Sequence, residues 1–426
     1  MDYEIVITIG LLIFAMVMFF FEVLPVSITA MIVLVAYILT GILEPAEAFQ
    51  GFTNSSVLLY LALFVIGDAL FITGAASRIG ELVKKYSKSE RVTIILIMLT
   101  AGLCSGFLSN TGTAAIFIPI IIGISKSTGY SRSRLLMPLV AAAAMGGNLT
   151  LLGSPPNLIA SSQLEEAGLE GFGVFEFTKI ALPIFIAGIV YYTLLGYKLL
   201  PDKQKMIVSD DNSIYDMDID FDEVPRYKMI MSVIIMIITV LGMVFEKKIG
   251  IPLYVTAWIG AIAMVALRIM REKQAMDSID MSTVFLFVGT LSIGKALEKT
   301  GAGSVIANFV LGVVGDNPIS ILAGILLICI IMTNFMSNTA TGALMAPIAL
   351  NIAMEIGADP RAVLMATVIG CSCAYATPIG MPTNTMIYGV GGYRFSDYTK
   401  VGLPLIVINF IVSMIFLPIL FPFFPN

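Results

Sequence analysis

Two short polar motifs of the same composition interrupt this apolar sequence, and both carry groups that can bind ions. Residues 109–111 begin the segment SNTGTAAIFIP, and residues 337–339, 228 positions later, begin SNTATGALMAP. Serine, asparagine and threonine in the middle of a helical hairpin interrupt one helix and cap the next. The free N–H groups at such a helix start favour an anion, whereas the side-chain and backbone oxygens suit a sodium ion.

Other segments recur at almost the same distance. GSPPN at residues 153–157 matches GMPTN at 380–384, and GDALFITGA at 67–75 matches GKALEKTGA at 294–302, both 227 positions apart. Three segments in the same order at a nearly constant spacing indicate an internal duplication. Because proline removes a backbone donor and breaks a helix, we expect four breaks, two in each half, that converge near the middle of the membrane.

Composition identifies the kind of protein in which these motifs lie. Of the 426 residues, 58% are hydrophobic and 12% are charged, and the mean hydropathy is +0.96. Because a soluble domain carries about 25% charged residues, this is the composition of a polytopic membrane protein. Apolar runs such as 5–21 and 401–420 are long enough to cross a bilayer as helices. The first run lacks a basic leader and a cleavage site, so we expect a retained helix.

The sequence also excludes several kinds of chemistry. It contains no histidine, which rules out imidazole metal sites and histidine proton relays. Its four cysteines lie in apolar segments without the spacing of a metal site or a disulfide framework. The net charge of −5 is small, and no segment suggests a nucleotide or nucleic-acid partner. We therefore expect no cofactor apart from coupling ions.

The order of the apolar runs predicts an all-α polytopic membrane protein. It would consist of two inverted-topology repeats of five transmembrane helices, each with a re-entrant helical hairpin and a broken helix. In the first repeat, residues 1–200, the runs lie near 5–21, 26–43, 56–74, 132–167 and 178–199, with the hairpin at about 91–126. In the second, residues 228–426, they lie near 229–245, 251–268, 283–299, 360–393 and 401–421, with the hairpin at about 319–356.

Charge distribution gives this layout an orientation. Five crossings per half place 18 lysines and arginines on one side and 6 on the other. By the positive-inside rule the first side is cytoplasmic. We therefore expect a multi-pass protein of the cell membrane, with both termini outside the cytoplasm. Residues 201–227, which include an acidic cluster, are expected to form a cytoplasmic linker between the repeats.

The paired motifs resemble the divalent anion/sodium symporter family over nearly the whole chain. Each SNT motif is followed by a Gly-x-Pro-x-Asn break, 47 positions from Asn110 to Asn157 and 46 from Asn338 to Asn384. The resemblance implies a small anionic substrate, sodium as the coupling ion, alternating access and a homodimer. It also implies that the two SNT motifs lie at the tips of opposed hairpins and bind the anion together with sodium.

Matching motif to motif transfers specific roles to this sequence. The implied substrate contacts are Ser109, Asn110, Thr111, Ser337, Asn338 and Thr339, with Pro155 and Pro382 shaping the pocket walls. The first implied sodium site uses Ser105, Asn110 and the break at Gly153. The second uses Thr333, Asn338 and the break at Gly380.

Two departures from the family pattern bear on these expectations. The second break usually reads Thr-Pro-Pro-Asn, whereas Met381 here replaces the threonine and removes a hydroxyl. The first half also starts at its first repeat helix, without the additional leading helix of some family members. This start agrees with an even number of crossings and external termini.

Several functions remain open at this level. No lysine or arginine lies near the four breaks, so helix N-termini and co-bound cations would have to offset the charge of a divalent anion. Two matching half-sites suit a C4-dicarboxylate such as succinate, malate or fumarate. Sulfate or another oxyanion, and sodium-independent dicarboxylate exchange, are the alternatives. A channel would not need two inverted cradles, and an intramembrane hydrolase would need a nucleophile and a base that the apolar helices lack.

Two ionisable residues lie within predicted spanning helices at equivalent positions of the repeats. Asp68 and Lys295 are 227 positions apart. Intramembrane ionisable residues are candidates for a functional role. Both, however, lie toward helix ends, where Lys295 could reach the interface and Asp68 could meet water.

Overall fold

The computed structural model describes residues 3–21, 23–75, 83, 86–203, 225–315 and 317–424. Within these ranges the chain folds into helices joined by turns, without a β-strand. The predicted linker at 201–227 lies mostly outside the described residues, as does part of the basic segment that follows residue 75. The all-α fold predicted from the apolar runs is confirmed.

The first half contains eight principal helices among its described residues. They are α1 (Tyr3–Phe21), α2 (Val26–Leu39), α3 (Ser55–Ile72), α4 (Glu90–Ser105), α5 (Asn110–Thr128), α6 (Arg132–Gly147), α7 (Pro155–Glu166) and α8 (Thr178–Leu194). Short helices occur at Pro45–Ala48, Gln50–Thr53 and Gly196–Leu199.

The second half repeats this order and has one further principal helix among its described residues. The helices are α9 (Arg226–Val244), α10 (Leu253–Ala266), α11 (Met281–Thr300), α12 (Ala302–Val314), α13 (Pro318–Thr333), α14 (Asn338–Glu355), α15 (Pro360–Cys371), α16 (Pro382–Val390) and α17 (Phe395–Leu420). Short helices occur at Glu246–Ile249 and Glu272–Asp277.

Length and composition make six of these helices candidates to cross a membrane: α1, α3, α5, α9, α11 and α17. Others, including α2, α8 and α10, are apolar but shorter. Large apolar side chains on α9 face outward, among them Ile230, Ile237 and Ile238. In water such exposure would be costly, but hydrocarbon chains provide an apolar environment for it. The protein is therefore a multi-pass membrane protein.

Equivalent helices make equivalent packing contacts in the two halves. The α4–α5 hairpin packs on α6, and the α13–α14 hairpin packs on α15. Between the halves, α2 packs along α11 and α3 packs along α10, which are again matching pairs. Each hairpin thus packs on the broken helix of its own half. The helices that precede each hairpin, α2 and α3 in the first half and α10 and α11 in the second, pack against helices of the other half.

Small residues allow α4 and α6 to approach until their backbones touch. Gly102 on α4 and Gly106, the residue that follows this helix, face Ala142 and Gly146 on α6. A Cβ atom built on Gly146 would lie within 3.0 Å of three backbone atoms of Gly102. Glycine pairs of this spacing permit close helix contact in membranes, where dispersion between backbones replaces the hydrophobic effect as the main attraction.

Two partly buried hydrogen bonds join α7, the second part of the first broken helix, to α3. The Glu165 carboxylate near the end of α7 accepts hydrogen bonds from the hydroxyls of Ser55, at 2.5 Å, and Ser56, at 3.1 Å. Both serines lie in the first turn of α3, where the helix dipole favours a negative charge. The contact therefore fixes the position of α7 relative to α3.

Three of the differences between the described helices and the predicted runs concern whole helices or their starts and divisions. Helix α12 was not predicted, although Val305, Ile306, Phe309 and Val310 have helical spacing. The run predicted at 178–199 divides at Leu195 into two helices. Helix α17 begins at Phe395 rather than near 401, because the Arg394 backbone N–H donates to the Asp397 carboxylate at 2.7 Å and starts the helix early.

Candidate functional site

The tip of the first hairpin is built from local hydrogen bonds. Ser109 caps α5, since its hydroxyl accepts from the Gly112 N–H at 3.0 Å. At the end of α4, the Ser105 hydroxyl lies 2.8 Å from the Asn110 Oδ1 and 2.8 Å from the Ala143 carbonyl oxygen. Three kinds of oxygen therefore meet where the two hairpin helices reach α6.

The second hairpin repeats this arrangement 228 positions later. Ser337 caps α14 by accepting from the Ala340 N–H at 3.1 Å. The Thr333 hydroxyl lies 2.8 Å from the Asn338 Oδ1 and 2.5 Å from the Cys371 carbonyl oxygen. The fully buried Ser105 and Thr333 thus hold the same place in the two halves.

The breaks in the two broken helices are also matched. The Asn157 amide donates to the carbonyls of Gly147, at 3.0 Å, and Thr150, at 2.7 Å. Asn384 donates in the same way to the carbonyls of Ala374, at 2.7 Å, and Thr377, at 2.9 Å. Each asparagine therefore supplies donors to backbone carbonyls that the interrupted helix leaves unpaired.

Threonines join each break to its hairpin. The Thr150 hydroxyl donates to the Gly106 carbonyl, and the Thr377 hydroxyl donates to the Asn334 carbonyl at 2.5 Å. Across the halves, the Ser372 hydroxyl donates to the Asn148 Oδ1 at 3.0 Å. Hydrogen bonds thus join each helix break to the hairpin of its own half, and one further bond joins the two breaks.

Glycine is required at both breaks because backbone oxygens crowd them. A Cβ atom on Gly153 would collide with the carbonyl oxygens of Ser105 and Gly147. One on Gly380 would collide with the Thr333 carbonyl oxygen. In each half the structure therefore brings the break glycine close to the hydroxyl-bearing residue that was predicted to share a sodium site with it.

The orientation of the Asn338 amide determines what the second cluster can bind. With Oδ1 toward the cluster, this atom lies 2.8 Å from the Thr333 Oγ1, 3.0 Å from the Cys371 carbonyl oxygen and 3.3 Å from the Gly380 carbonyl oxygen. With Nδ2 there instead, the two N–H groups of the amide face these three acceptors. Four converging oxygens are favourable around a cation, whereas the turned amide closes the cluster by hydrogen bonding.

Exposure distinguishes the two tips. Ser109 and Thr111 are exposed, whereas Ser337 and Thr339 are half-buried and Asn338 is buried.

A cavity of about 260 Å³ adjoins the first tip, and its lining includes Ser109, Gly153 and Pro155. None of the predicted residues of the second half lines this cavity. Pro155 and Pro382 are the first residues of α7 and α16, respectively.

A larger cavity of about 1240 Å³ lies elsewhere in the protein. It is lined by residues that include Ser55, Glu165, Lys179, Lys248 and Arg361. No residue predicted to bind substrate or sodium lines it. Its size therefore does not make it the candidate site, because the matched polar groups lie at the hairpin tips.

Two matched pairs in the site were not among the predicted site residues. These are Thr150 with Thr377, and Asn157 with Asn384, each pair 227 positions apart. The asparagines ended the matched GSPPN and GMPTN segments without receiving a role. Extending the comparison of the repeats by a few residues would have identified the threonines as well.

We expect Asn157→Ala to destabilise the protein. The substitution leaves the buried carbonyls of Gly147 and Thr150 without their donors, at a cost of about 2–6 kcal/mol for the two groups. The midpoint of thermal unfolding in detergent would fall accordingly. Asn308→Ala, at an exposed asparagine that donates to the Ser304 carbonyl, serves as the control and should change the midpoint little. Equal midpoints for the two variants would contradict the role assigned to Asn157.

The comparisons with known proteins agree with the matched geometry. The family model described as Citrate transporter matches residues 16–370 and, in a second match, residues 240–425. The chain belongs to the citrate transporter family. Members of this family are membrane transporters rather than enzymes. This membership confirms the prediction that the protein is a transporter and not an enzyme.

Individual relatives of this family member are also named as transporters. It is 29% identical to an uncharacterised transporter of Methanocaldococcus jannaschii, over 94% of this chain and 90% of the relative. It is 23% identical to the sodium-dependent dicarboxylate transporter SdcS of Staphylococcus aureus strain USA300, over 92% and 82% of the two chains. The predicted membership of the divalent anion/sodium symporter family is thereby confirmed.

A solved structure shares the fold of this citrate transporter family member. The YdaH transporter of Alcanivorax borkumensis aligns with a TM-score of 0.66 at 14% sequence identity. The alignment covers 90% of this chain and 88% of that chain. At this identity the likeness extends to the fold alone.

Proposed function

We propose that this protein is a sodium-coupled symporter of a divalent anion, with a C4-dicarboxylate such as succinate, malate or fumarate as its substrate. The observation that carries the proposal is the pair of matched oxygen clusters at the hairpin tips. Each combines an asparagine amide, a hydroxyl and a backbone carbonyl. These neutral hard ligands suit sodium, and the relative named as a sodium-dependent dicarboxylate transporter supports the same substrate class.

The proposal assigns roles to the residues at the tips and breaks. The anion would contact Ser109, Asn110, Thr111, Ser337, Asn338 and Thr339 between Pro155 and Pro382. One sodium ion would use Ser105, Asn110 and Gly153, and the other would use Thr333, Asn338 and Gly380. The short contacts within each triplet support this division.

Charge balance supports coupling to sodium. Among the described residues, no lysine or arginine lines the cavity beside the first tip. The charge of a bound dianion would therefore be offset by the N-termini of α5 and α14 and by co-bound cations. The anion would bind weakly without sodium, and the two would cross the membrane together.

Alternating access is the proposed mode of movement. The hairpins and broken helices would move as one unit, because hydrogen bonds join each break to its own hairpin and the two breaks to each other. The first helices of each repeat would stay fixed, and the contact from Glu165 to Ser55 and Ser56 would break in each cycle. We also propose that both termini lie outside the cytoplasm. The protein would form a homodimer with α9 in its scaffold.

Transport in proteoliposomes tests this function. Labelled succinate would be supplied outside, with and without an inward sodium gradient, and with excess sulfate as competitor. We expect uptake that requires the sodium gradient and resists sulfate. Stronger accumulation at a steeper sodium gradient would follow from coupling.

Other outcomes would redirect the proposal. Succinate uptake without sodium that depends on succinate inside the vesicles would indicate an exchanger. Sodium-driven sulfate uptake without succinate uptake would identify an inorganic oxyanion as the substrate. Met381 is buried beside the second break and has no hydroxyl. The loss of this possible substrate contact is the feature that favours an inorganic oxyanion as the alternative substrate.

A further inference from the structure

The cavities of about 1240 Å³ and about 260 Å³ lie at opposite ends of α3. Ser55 and Ser56, in the first turn of this helix, line the larger cavity. Asp68 and Phe71, toward its other end, line the smaller cavity beside the first hairpin tip. With 18 residues, α3 is about 27 Å long. Together the two cavities therefore extend along most of a helix that is long enough to cross the hydrocarbon core.

Two pairs of adjacent residues separate these cavities. Leu59 on α3 lines the larger cavity, whereas the next residue, Tyr60, lines the smaller one. In the first break, Leu151 lines the larger cavity and Leu152 lines the smaller one. All four side chains are buried. Because α3 packs beside α7, which follows the break, these four residues form a thin, largely apolar layer between the cavities, which we call the partition.

The partition combines parts of two units that the proposed transport cycle moves relative to each other. Leu59 and Tyr60 belong to α3, which would stay fixed, whereas Leu151 and Leu152 belong to the moving unit. An apolar layer opposes the passage of small ions, since a charge loses its hydration there. The seal therefore depends on how firmly the break is held within its own unit.

The loop between α7 and α8 holds the moving side of the partition. The Leu151 N–H donates to the carbonyl of Val174 in this loop at 2.8 Å. The hydroxyl of Thr178, which begins α8, donates to the Leu149 carbonyl at 2.5 Å. The backbone beside the first break thus takes its position from this loop.

Arg361, at the start of α15 in the second half, fastens the loop. One guanidinium nitrogen donates to both carboxylate oxygens of Glu176, at 2.8 and 3.0 Å. The other donates to the carbonyls of Glu170, at 2.7 Å, and Gly171, at 3.3 Å. The planar fork of arginine suits such multiple contacts, which a lysine could not reproduce. Arg361 thus contacts the loop on both sides of Val174.

We propose that Arg361 is a positioning residue that keeps the partition closed by fastening the α7–α8 loop to α15. This inference rests on the proposed function, since the partition separates the larger cavity from the proposed site at the first tip. When the loop is released, the Leu151 N–H loses its acceptor and the two cavities join. Sodium ions then pass along α3 without a cycle of the moving unit.

Sodium leak measures whether the partition is closed. Proteoliposomes loaded with radioactive sodium would be diluted into sodium-free medium without succinate, with potassium and valinomycin present to balance charge. We expect Arg361→Gln and Glu176→Gln to raise the rate of sodium loss several-fold. The rise should be larger in Arg361→Gln, because this variant also loses the bonds to the two loop carbonyls. Wild-type leak rates in both variants would overturn the proposal.

Another ion pair between the two halves provides the matched control. Lys299 lies 2.7 Å from the Glu47 carboxylate, and neither residue lines either cavity. Lys299→Gln should therefore leak at the wild-type rate. A leak in Lys299→Gln as large as that in Arg361→Gln would overturn the specific role of Arg361.

Hydrogen exchange at the Leu151 amide tests the positioning itself. Because this N–H is paired with Val174, a peptide that contains residue 151 should exchange faster in Arg361→Gln. Leu59→Ser, on the fixed side of the partition, should raise the leak but leave this exchange as in the wild type. Unchanged exchange in Arg361→Gln would overturn its positioning role, and an unchanged leak in Leu59→Ser would overturn the partition.

These measurements separate the inference from the proposed function, since neither requires transport of succinate. A sodium leak and faster exchange in Arg361→Gln would support the partition even if the transported anion is not a dicarboxylate. Sodium-driven succinate uptake by the wild type, with unchanged leak and exchange in the variants, would overturn the partition and leave the proposed function in place.

Discussion

Replacing Asn110 with alanine should reduce sodium-driven uptake by at least about tenfold, since groups that support a metal site typically change affinity or activity by 10–100-fold. Its Oδ1 lies 2.8 Å from the Ser105 hydroxyl, which also lies 2.8 Å from the Ala143 carbonyl. The substitution removes the side chain shared by the proposed sodium and anion sites. Initial uptake rates measured over a range of sodium and substrate concentrations should therefore show weaker dependence on both.

Two further variants define the role of the Asn110 side chain. Asn110→Asp keeps an oxygen near Ser105 but adds a negative charge, so sodium binding should persist while the anion binds more weakly. Asn308→Ala, at an exposed site on α12, should behave as the wild type. Uptake by Asn110→Ala with wild-type rate and sodium dependence would remove Asn110 from the site.

Gly146→Ala should abolish transport and lower stability by about 1–3 kcal/mol, the usual range for overpacking. The added methyl would lie within 3.0 Å of the carbonyl oxygen, Cα and carbonyl carbon of Gly102, which are backbone atoms without rotamers. Helices α4 and α6 would have to separate. That movement would pull the Ser105 hydroxyl away from the Ala143 carbonyl.

The chain provides a matched control for this substitution. Gly123, on α5 of the same hairpin, has open space around the position of an added Cβ. Gly123→Ala should be neutral or slightly stabilising, because alanine is the better helix former. Thermal unfolding and uptake of both variants check the prediction. Wild-type uptake by Gly146→Ala would show that the close contact between α4 and α6 is not required.

The helices could be predicted from sequence largely because apolar length is a strong signal in membrane proteins. The run expected at 26–43 corresponds to Val26–Leu39, and the run at 229–245 corresponds to Arg226–Val244. The two hairpins are interrupted at their SNT motifs, as predicted. Helix α12 was missed because its 13 residues are too short for a spanning run, although its apolar spacing is helical.

The candidate site was only partly accessible from sequence. The family resemblance implied Ser105 and Thr333, whereas Gly153 and Gly380 lie in breaks that the repeats themselves revealed. The carbonyls of Ala143 and Cys371 could not be found in this way, since any residue supplies a carbonyl and only the fold selects which one is near. The partition between the two cavities likewise depends on how α3 packs beside α7.

The matched hydrogen bonds have a consequence for how the chain assembles during synthesis. The bonds that build the first tip and its break all lie within the first half, and the longest, from Thr150 to Gly106, spans 44 residues. Contacts of such short separation form early. The first half can therefore complete its own hairpin tip while the second half is still being translated. The bond from Ser372 to Asn148, which spans 224 residues, forms only when the second half arrives.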